Sequence, residues 1–128
     1  MKLSVIVPCF NSEETIGDQL DSLASQHCNR LWEIIVSNNG STDGTLAVLE
    51  RYKKKLSNLR IVDSSDQKGA AHARNVGALA ANGEAIAFCD ADDVVGRNWV
   101  AEIGEALQKH DFVASRFDIE KLNDPWIR

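Results

Sequence analysis

The sequence predicts an α/β protein with a mostly parallel sheet and helices on both faces. Short apolar runs rich in β-branched residues alternate with longer stretches of helical spacing, which is the pattern of βαβ units. Right-handed crossovers between parallel strands place helices on both faces of such a sheet. The chain has 128 residues, the size of one domain, and we expect a single domain over residues 1–128.

The first strand and helix are predicted near the N-terminus. Residues 3–7 form an apolar, β-branched run that is typical of a strand buried on both faces. Pro8 is expected to end this strand, because proline has no N–H to continue the ladder. Asn11 and Glu14 predict a capping box at the start of the first helix. The apolar stripe of this helix consists of Ile16, Leu20, Leu23 and Ala24.

The rest of the chain repeats this alternation. Residues 32–36 predict a second buried strand, and the polar residues 37–44 are expected to form a loop after it. The later elements are a helix marked by Leu46, Leu49 and Leu56, a strand at 59–62, a helix at 70–81, a strand at 85–89, a helix at 99–107 and a strand at 112–114. Because ligands bind beyond the carboxyl ends of parallel strands, the polar loops predict one shared binding edge.

The composition excludes several classes of function. Hydrophobic residues are 44% and charged residues 26% of the chain, which is ordinary globular composition. With 14 Lys and Arg against 19 Asp and Glu, the formal net charge is −5, so we expect no nucleic-acid partner. The three cysteines lack CxxC spacing, and no apolar run approaches the thickness of a bilayer. Reduced thiols and a cytoplasmic location are therefore expected, with peripheral membrane contact left open.

The strongest functional pattern is the acidic segment from Asp90 to Asp93, directly after a predicted strand. Three neighbouring carboxylates repel one another, and a divalent cation that prefers oxygen ligands removes this repulsion. Asp90 and Asp92 point to the same side in extended geometry. The segment therefore predicts a metal site beside a diphosphate, with a solvated acidic turn that caps the next helix as the alternative.

Three weaker patterns lie at the same predicted edge. The amides of Asn38 and Asn39 can donate to and accept from a nucleobase, although asparagine is also common in turns. Phe10 can pack against a base or cover the core. Arg74, shortly after Gly69, can approach a phosphate or lie along an exposed helix face.

Four segments, in order, resemble the nucleotide-binding half of family 2 glycosyltransferases, which have the Rossmann-like GT-A fold. These segments are SVIVPCFNSEE, IIVSNNGSTDGT, KGAAHARNVGALAANGE and AIAFCDADD. The resemblance extends from residue 3 to about residue 100. It implies inverting transfer of a sugar from a nucleotide-sugar donor to a hydroxyl of a saccharide, lipid-linked or other acceptor, with Mg²⁺ or Mn²⁺ as cofactor.

The resemblance also implies a role for each matching residue. The implied nucleotide-binding residues are Pro8, Phe10 and Glu13 at the base and ribose, Asn39 at the base edge, Arg74, and Asp90. Asp92 is implied to bind the metal directly, together with Asp90. Asp93 is implied to support the loop or to meet the donor sugar.

Two departures from the family pattern bear on these roles. Asn38-Asn39 stands where the family usually has Asp-Asp or Asp-Asn, which leaves the base open. Asp118, Glu120 and Asp124 do not fall where the family's general base falls. We therefore expect the domain to be truncated, with the acceptor half and the general base missing from this chain.

Other functions remain open from the sequence. One alternative is a nucleotide-sugar-binding module, or an inactive fragment, that performs no transfer. Another is a metal-dependent phosphotransfer domain in which Asp90 is the nucleophile. Apolar residues near the C-terminus that have no evident core to join also predict a homo-oligomer; these are Ile119, Leu122, Trp126 and Ile127.

Overall fold

Eight elements alternate between strand and helix over residues 2–110, which are the residues that the computed structural model describes. They are β1 (Leu3–Cys9), α1 (Ile16–Ala24), β2 (Trp32–Asn38), α2 (Thr45–Lys55), β3 (Leu59–Asp63), α3 (Ala70–Ala80), β4 (Ala85–Phe88) and α4 (Trp99–Lys109). This alternation confirms the predicted α/β class. The strand predicted at 112–114 lies outside the described residues.

The four strands form one parallel sheet in the order β3-β2-β1-β4. Leu3 of β1 lies opposite Trp32 of β2 on one side and Ala85 of β4 on the other. The chain places β2 and β3 on one side of β1 and then crosses to put β4 on its other side. Parallel sheets bind ligands at such a switch point, so the crevice between the loops after β1 and β4 is the expected binding position.

Helices cover both faces of the sheet, as predicted. Val5 and Val7 of β1 belong to the core that also contains Ile16 and Leu20 of α1. Ile6 points to the opposite face, because side chains alternate along a strand. There α3 approaches closely, since a Cβ added at Gly77 would collide with the Ile6 side chain. No helix within residues 2–110 is long and apolar enough to cross a membrane.

The prediction that Pro8 ends β1 is wrong. β1 continues to Cys9, with Pro8 opposite Ser37. The carbonyl oxygen of Ile6 accepts a hydrogen bond from Cys89, so Ile6 and Pro8, two residues apart, direct their backbone groups toward the β4 side. The pairing of β1 with β4 ends at Ile6. Pro8 is the next residue of β1 that faces β4, so its missing N–H removes no bond from the β1–β4 ladder.

Further boundaries differ from the predicted ones, and two of them bear on the loops after β1 and β2. α1 begins at Ile16, and Asn11 is not its cap: Asn11 has φ of 48°, and its side chain accepts from the N–H of Thr42. β2 runs to Asn38 rather than residue 36, because the polar Ser37 and Asn38 pair with β1 and β3. Three side chains predicted to mark apolar helix stripes also differ: Ala24 is exposed, Leu46 is 47% exposed, and Leu56 follows the end of α2.

Candidate functional site

The loops that follow β1 and β2 are joined at the carboxyl edge of the sheet. The N–H of Asn11 donates to Ser41 Oγ at 3.0 Å, and Asn11 Oδ1 accepts from the N–H of Thr42 at 2.7 Å. The N–H of Ser12 donates to Thr45 Oγ1 at 2.8 Å. Asparagine tolerates the left-handed conformation that Asn11 adopts for these contacts. The two loops therefore form one hydrogen-bonded unit.

Two carboxylates complete this unit. Glu13 Oε2 accepts from the N–H of Gly44 at 3.2 Å, and a Cβ at Gly44 would collide with that carboxylate. Asp43 accepts from the N–H groups of Glu13 at 3.4 Å and Thr45 at 2.9 Å. Partial burial raises the pKa of Asp43, but hydrogen bonds from the Thr45 hydroxyl and these N–H groups hold it below its ordinary value. Glu13 thus shapes the loop, and its implied contact with the base or ribose stays a prediction.

Asn39 joins the β2–α2 loop to the β3–α3 loop. Its side chain is buried at 3% exposure. Asn39 Nδ2 donates to the carbonyl oxygens of Ser64 at 2.7 Å and Gln67 at 2.9 Å. Asn39 Oδ1 accepts from the N–H of Gly69 at 2.9 Å, where φ is 132° and favours glycine. Both amide hydrogens are therefore donated to loop carbonyls, and the implied place of Asn39 at a base edge stays a prediction.

The β3–α3 loop also reaches the end of β1. Lys68 Nζ lies over the Phe10 ring, 5.7 Å from its centroid, at a distance where a cation is attracted to an aromatic face. A ring and a positive charge side by side suit the base and phosphates of a nucleotide. Lys68 could not be predicted as a site residue from the sequence, because a single lysine in a loop belongs to no periodic pattern.

Two other residues with implied roles at the nucleotide are Arg74 and Pro8. Arg74 is in α3 and half-exposed, and among residues 2–110 its side chain forms no hydrogen bond or ion pair. Its guanidinium is therefore available to an anion. Pro8 is buried within β1, and its implied contact with the nucleotide stays a prediction.

The acidic segment leaves β4 at the switch point of the sheet as an ordered turn. The N–H of Asp93 donates to the carbonyl oxygen of Asp90 at 3.3 Å, and the N–H of Val94 donates to Asp93 Oδ1 at 2.9 Å. Ala91 is buried at 6% exposure, whereas Asp90, Asp92 and Asp93 are all half-exposed. The core thus anchors the turn, and the three aspartates that it carries are partly exposed.

The donor set of this turn fits a cation that is shared with a substrate. Within the described part of the chain, no three His, Cys, Asp or Glu side chains form a group that could hold a metal ion. Mg²⁺ is commonly bound by one or two carboxylates and completes its coordination with water and substrate phosphates. Asp90 and Asp92 can supply such a half-site beside a diphosphate.

The cysteines near the site do not provide a nucleophile. Cys9, at the end of β1, is buried, and burial raises its pKa to about 12. Burial and the nearby charges of Asp90 and Asp93 raise the pKa of Cys89 well above its ordinary value. Both thiols are therefore protonated at neutral pH and unsuited to attack. All three cysteines are free, as predicted.

A second residue missed by the sequence analysis is Gln19 of α1. Its side chain is fully buried, and Nε2 donates to the carbonyl oxygen of Asp90 at 2.7 Å. The sequence does contain a signal for it. Gln19 lies three residues after Ile16 and four before Leu23, so it is a polar residue inside the predicted apolar stripe.

Comparisons with known proteins identify the family. The family model described as "Glycosyl transferase family 2" matches residues 4–128. The poly(ribitol-phosphate) beta-N-acetylglucosaminyltransferase TarS of Staphylococcus aureus (strain Mu50) is 37% identical over 112 residues, which are 86% of this chain and 19% of TarS. The poly(ribitol-phosphate) beta-glucosyltransferase of Bacillus spizizenii is 40% identical over 98 residues, which are 75% of this chain and 16% of the relative.

Solved structures give the same result. The crystal structure of S. aureus TarS 1-349 in complex with UDP has a TM-score of 0.77 and 36% identity, covering 87% of this chain and 33% of that one. The mannosyltransferase PcManGT from Pyrobaculum calidifontis, in complex with GDP-Man and Mn²⁺, has a TM-score of 0.73 and 28% identity, covering 96% and 32%. The chain thus spans less than a fifth of the two curated relatives and about a third of the two solved chains. On the match over residues 4–128, this chain belongs to glycosyltransferase family 2.

Proposed function

We propose that this chain is the donor-binding part of an inverting, metal-dependent glycosyltransferase. It takes a sugar from a nucleotide-sugar donor, and the acceptor is a hydroxyl of a saccharide, lipid-linked or other molecule. The observation that carries this proposal is the position of the partly exposed acidic turn, at the switch point of a family 2 fold. The relatives support it, since they are named as glycosyltransferases, and the solved structures of TarS 1-349 and PcManGT contain UDP and GDP-Man respectively.

The donor nucleotide is proposed to lie between the loops after β1 and β4. The base and ribose contact the segment that contains Pro8, Phe10 and Glu13, and Asn39 supports this segment through the loop it holds. Arg74 approaches the phosphates. Asp90 and Asp92 would hold Mg²⁺ or Mn²⁺, which neutralises negative charge on the leaving diphosphate.

Transfer proceeds by a displacement at the anomeric carbon of the donor. The acceptor oxygen forms a bond to this carbon on the face opposite the nucleoside diphosphate, whose bond to the carbon breaks, and the configuration inverts. A general base must take the proton of the acceptor hydroxyl. Asp118, Glu120 and Asp124 lie outside the described residues. The greater length of the relatives supports the proposal that the base and the acceptor half belong to a part not included in this chain.

Calorimetry tests the donor site. UDP, dTDP and GDP are titrated into the chain with Mn²⁺ and again after removal of metal with EDTA. We expect at least one nucleotide to bind much more tightly when Mn²⁺ is present. If none of the three shows metal dependence, the assignment of Asp90 and Asp92 to the metal is wrong.

A non-catalytic nucleotide-sugar-binding module is the second candidate. The observation that favours it is the small share of the relatives that this chain spans. Slow release of sugar from the donor into water, measured with a radiolabelled donor, separates the two, because a module without catalytic function releases none. The phosphotransfer alternative lacks support from the family, and failure of Asp90 to take up a phosphoryl analogue would exclude it.

The proposed partners and location follow from this function. The partners are the nucleotide-sugar donor and the hydroxyl acceptor, with no nucleic acid. A cytoplasmic location is proposed because nucleotide sugars are supplied there, with peripheral membrane contact where the acceptor is lipid-linked. A homo-oligomer remains a prediction, and the residues first named for its interface lie outside the described part of the chain.

A further inference from the structure

Helix α1 and the turn after it present a row of three polar side chains, Gln19, Ser22 and Gln26, to the segment that connects β4 to α4. Gln19 and Ser22 are three residues apart on one face of the helix, and Gln26 follows two residues after the helix ends at Ala24. Gln19 bonds to Asp90, and Ser22 Oγ accepts from the N–H of Val95 at 3.2 Å. The whole connection is therefore held against α1 by hydrogen bonds.

Gln19 has the most buried position in this row. Its side chain is fully buried beside Leu20 and Leu23, where an unbonded amide would be destabilising and an apolar residue would fit the stripe. Both ends of the amide are bonded: Nε2 donates to Asp90, and Oε1 accepts from Ser22 Oγ at 2.8 Å. The hydroxyl of Ser22 shares its one hydrogen between this Oε1 and the carbonyl oxygen of Gln19, which lies 2.7 Å away.

Gln19 bonds to the carbonyl oxygen of Asp90, which is also the acceptor of the hydrogen bond that closes the acidic turn. The carbonyl oxygen of Asp90 accepts from Gln19 Nε2 at 2.7 Å and from the N–H of Asp93 at 3.3 Å. Fixing this carbonyl fixes the peptide plane between Asp90 and Ala91. The direction of the following carboxylates depends on this plane.

We infer that Gln19 is a positioning residue that holds the acidic turn in its binding geometry before any ligand arrives. A turn ordered in advance does not lose conformational freedom when it binds metal and diphosphate, and groups that orient metal ligands commonly contribute 10- to 100-fold in metal affinity. The identity of the ligand rests on the proposed function. The ordering of the turn does not, because it is a property of the chain alone.

The test compares Gln19→Met with Gln26→Met in the full 128-residue chain. Both changes replace a bonded amide by an apolar side chain of similar length. Gln26 donates to the carbonyl oxygen of Gly96 at 2.7 Å and accepts from the N–H of Val100 at 2.9 Å, so its loss affects the far end of the connection. Ser22→Ala is a third and smaller change, which removes the hydroxyl that contacts both Gln19 Oε1 and the N–H of Val95.

Two measurements are made on each variant. NMR relaxation gives the backbone order parameters of residues 91–93 without ligand. Calorimetry gives the Mn²⁺ concentration for half-maximal UDP binding. We expect Gln19→Met to lower the order parameters from about 0.85 to below about 0.6. We also expect it to raise the Mn²⁺ concentration about 10- to 100-fold, with a smaller shift in Ser22→Ala and none in Gln26→Met.

The outcomes separate this inference from the proposed function. If the unaltered chain binds no nucleotide, the proposed function fails, whereas the order parameters still decide the role of Gln19. Unchanged order parameters in Gln19→Met, or an equal decrease in Gln26→Met, would overturn the inference. If Gln19→Met does not fold, Ser22→Ala decides, and an unchanged turn in that variant overturns it as well.

Discussion

Replacement of Glu33 by glutamine is expected to destabilise the fold without changing the donor site. Glu33 is a buried residue of β2 at 5% exposure, near the start of the strand and far from the carboxyl edge. Its carboxylate accepts from Ser4 Oγ at 2.6 Å, from the N–H of Asn82 at 2.7 Å and from Arg60 Nε at 3.1 Å, and Arg60 Nη2 lies in ion-pair contact at 3.1 Å. These bonds connect three strands to the segment after α3.

The size of the effect follows from the bonds that an amide cannot replace. In Glu33→Gln one of the two carboxylate oxygens becomes an NH₂ group. Arg60 and Asn82 donate to different oxygens of Glu33, so whichever oxygen is replaced, one of these two bonds is lost. Arg60 is 42% exposed, so water can replace its ion pair, and this loss is about 0–1 kcal/mol. The remaining bonds lose their charge assistance, which adds about 1 kcal/mol or more. We expect the free energy of unfolding to decrease by about 2 kcal/mol at pH 7.

The effect of Glu33 on stability should depend on pH. Burial raises the pKa of the Glu33 carboxyl. Hydrogen bonds from Ser4 and Asn82 and the charges of Arg60 and Lys2 lower this pKa by more than burial raises it, so the net pKa is below its ordinary value. The unfolded chain therefore binds the proton more readily than the folded one. The stabilisation is complete above the ordinary carboxyl pKa of about 4.3 and is lost as the pH falls through the folded-state pKa.

Urea unfolding followed by tryptophan fluorescence measures this effect at pH 7 and at pH 3. The matched control is Glu84→Gln, the same chemical change at an exposed position. Glu33→Gln should unfold at lower urea than the control at pH 7, and the difference should shrink at pH 3. A midpoint equal to that of the control at pH 7, or a difference that persists at pH 3, would refute the reasoning.

Four further predictions concern the site and the assembly. Asp92→Asn should abolish the Mn²⁺ dependence of UDP binding and Asp93→Asn only weaken it, and equal losses in calorimetry would contradict their assigned roles. UDP or dTDP should bind more tightly than GDP, because residues 38 and 39 are amides and cannot accept from guanine N1–H and N2–H₂ as a carboxylate does; preference for GDP in the same titration would show the opposite. Asn39→Asp should lower the free energy of unfolding by about 1–3 kcal/mol, because a carboxylate cannot donate to the carbonyls of Ser64 and Gln67, and urea unfolding tests this. Light scattering should find a dimer or larger species, since β4 exposes apolar side chains at the sheet edge within the described residues, and the chain alone should transfer no sugar to an acceptor; a monomer with robust transfer would contradict both.

The order and type of the elements could be predicted because hydrophobic periodicity reports burial directly. Residues 3–7 and 32–36 are buried strands in the structure, as their continuous apolar runs predicted. The ends of the elements could not be predicted in the same way. Proline usually ends a strand and asparagine often caps a helix. Here the conformations of Pro8 and Asn11 are set by pairing with neighbouring strands and loops.

The position of the candidate site could also be predicted, whereas its internal contacts could not. Polar residues after parallel strands meet at one edge, and the acidic turn from Asp90 to Asp93 lies there. The contacts that shape the edge join side chains to backbone groups of distant loops, as Gln19 joins Asp90 and Glu13 joins Gly44. Such pairs follow no spacing rule, so only the folded chain reveals them.

Asn39 shows how a departure from the family pattern acquires a physical reason from the structure. In sequence, an amide in place of a carboxylate bears on the choice of base. In the folded chain, the same amide donates both hydrogens to carbonyls of the β3–α3 loop, which no carboxylate can do. That loop carries Lys68 over the Phe10 ring at the end of β1. The structure thus gives Asn39 a route to the nucleotide through the loop that it holds and the charge that this loop places beside Phe10.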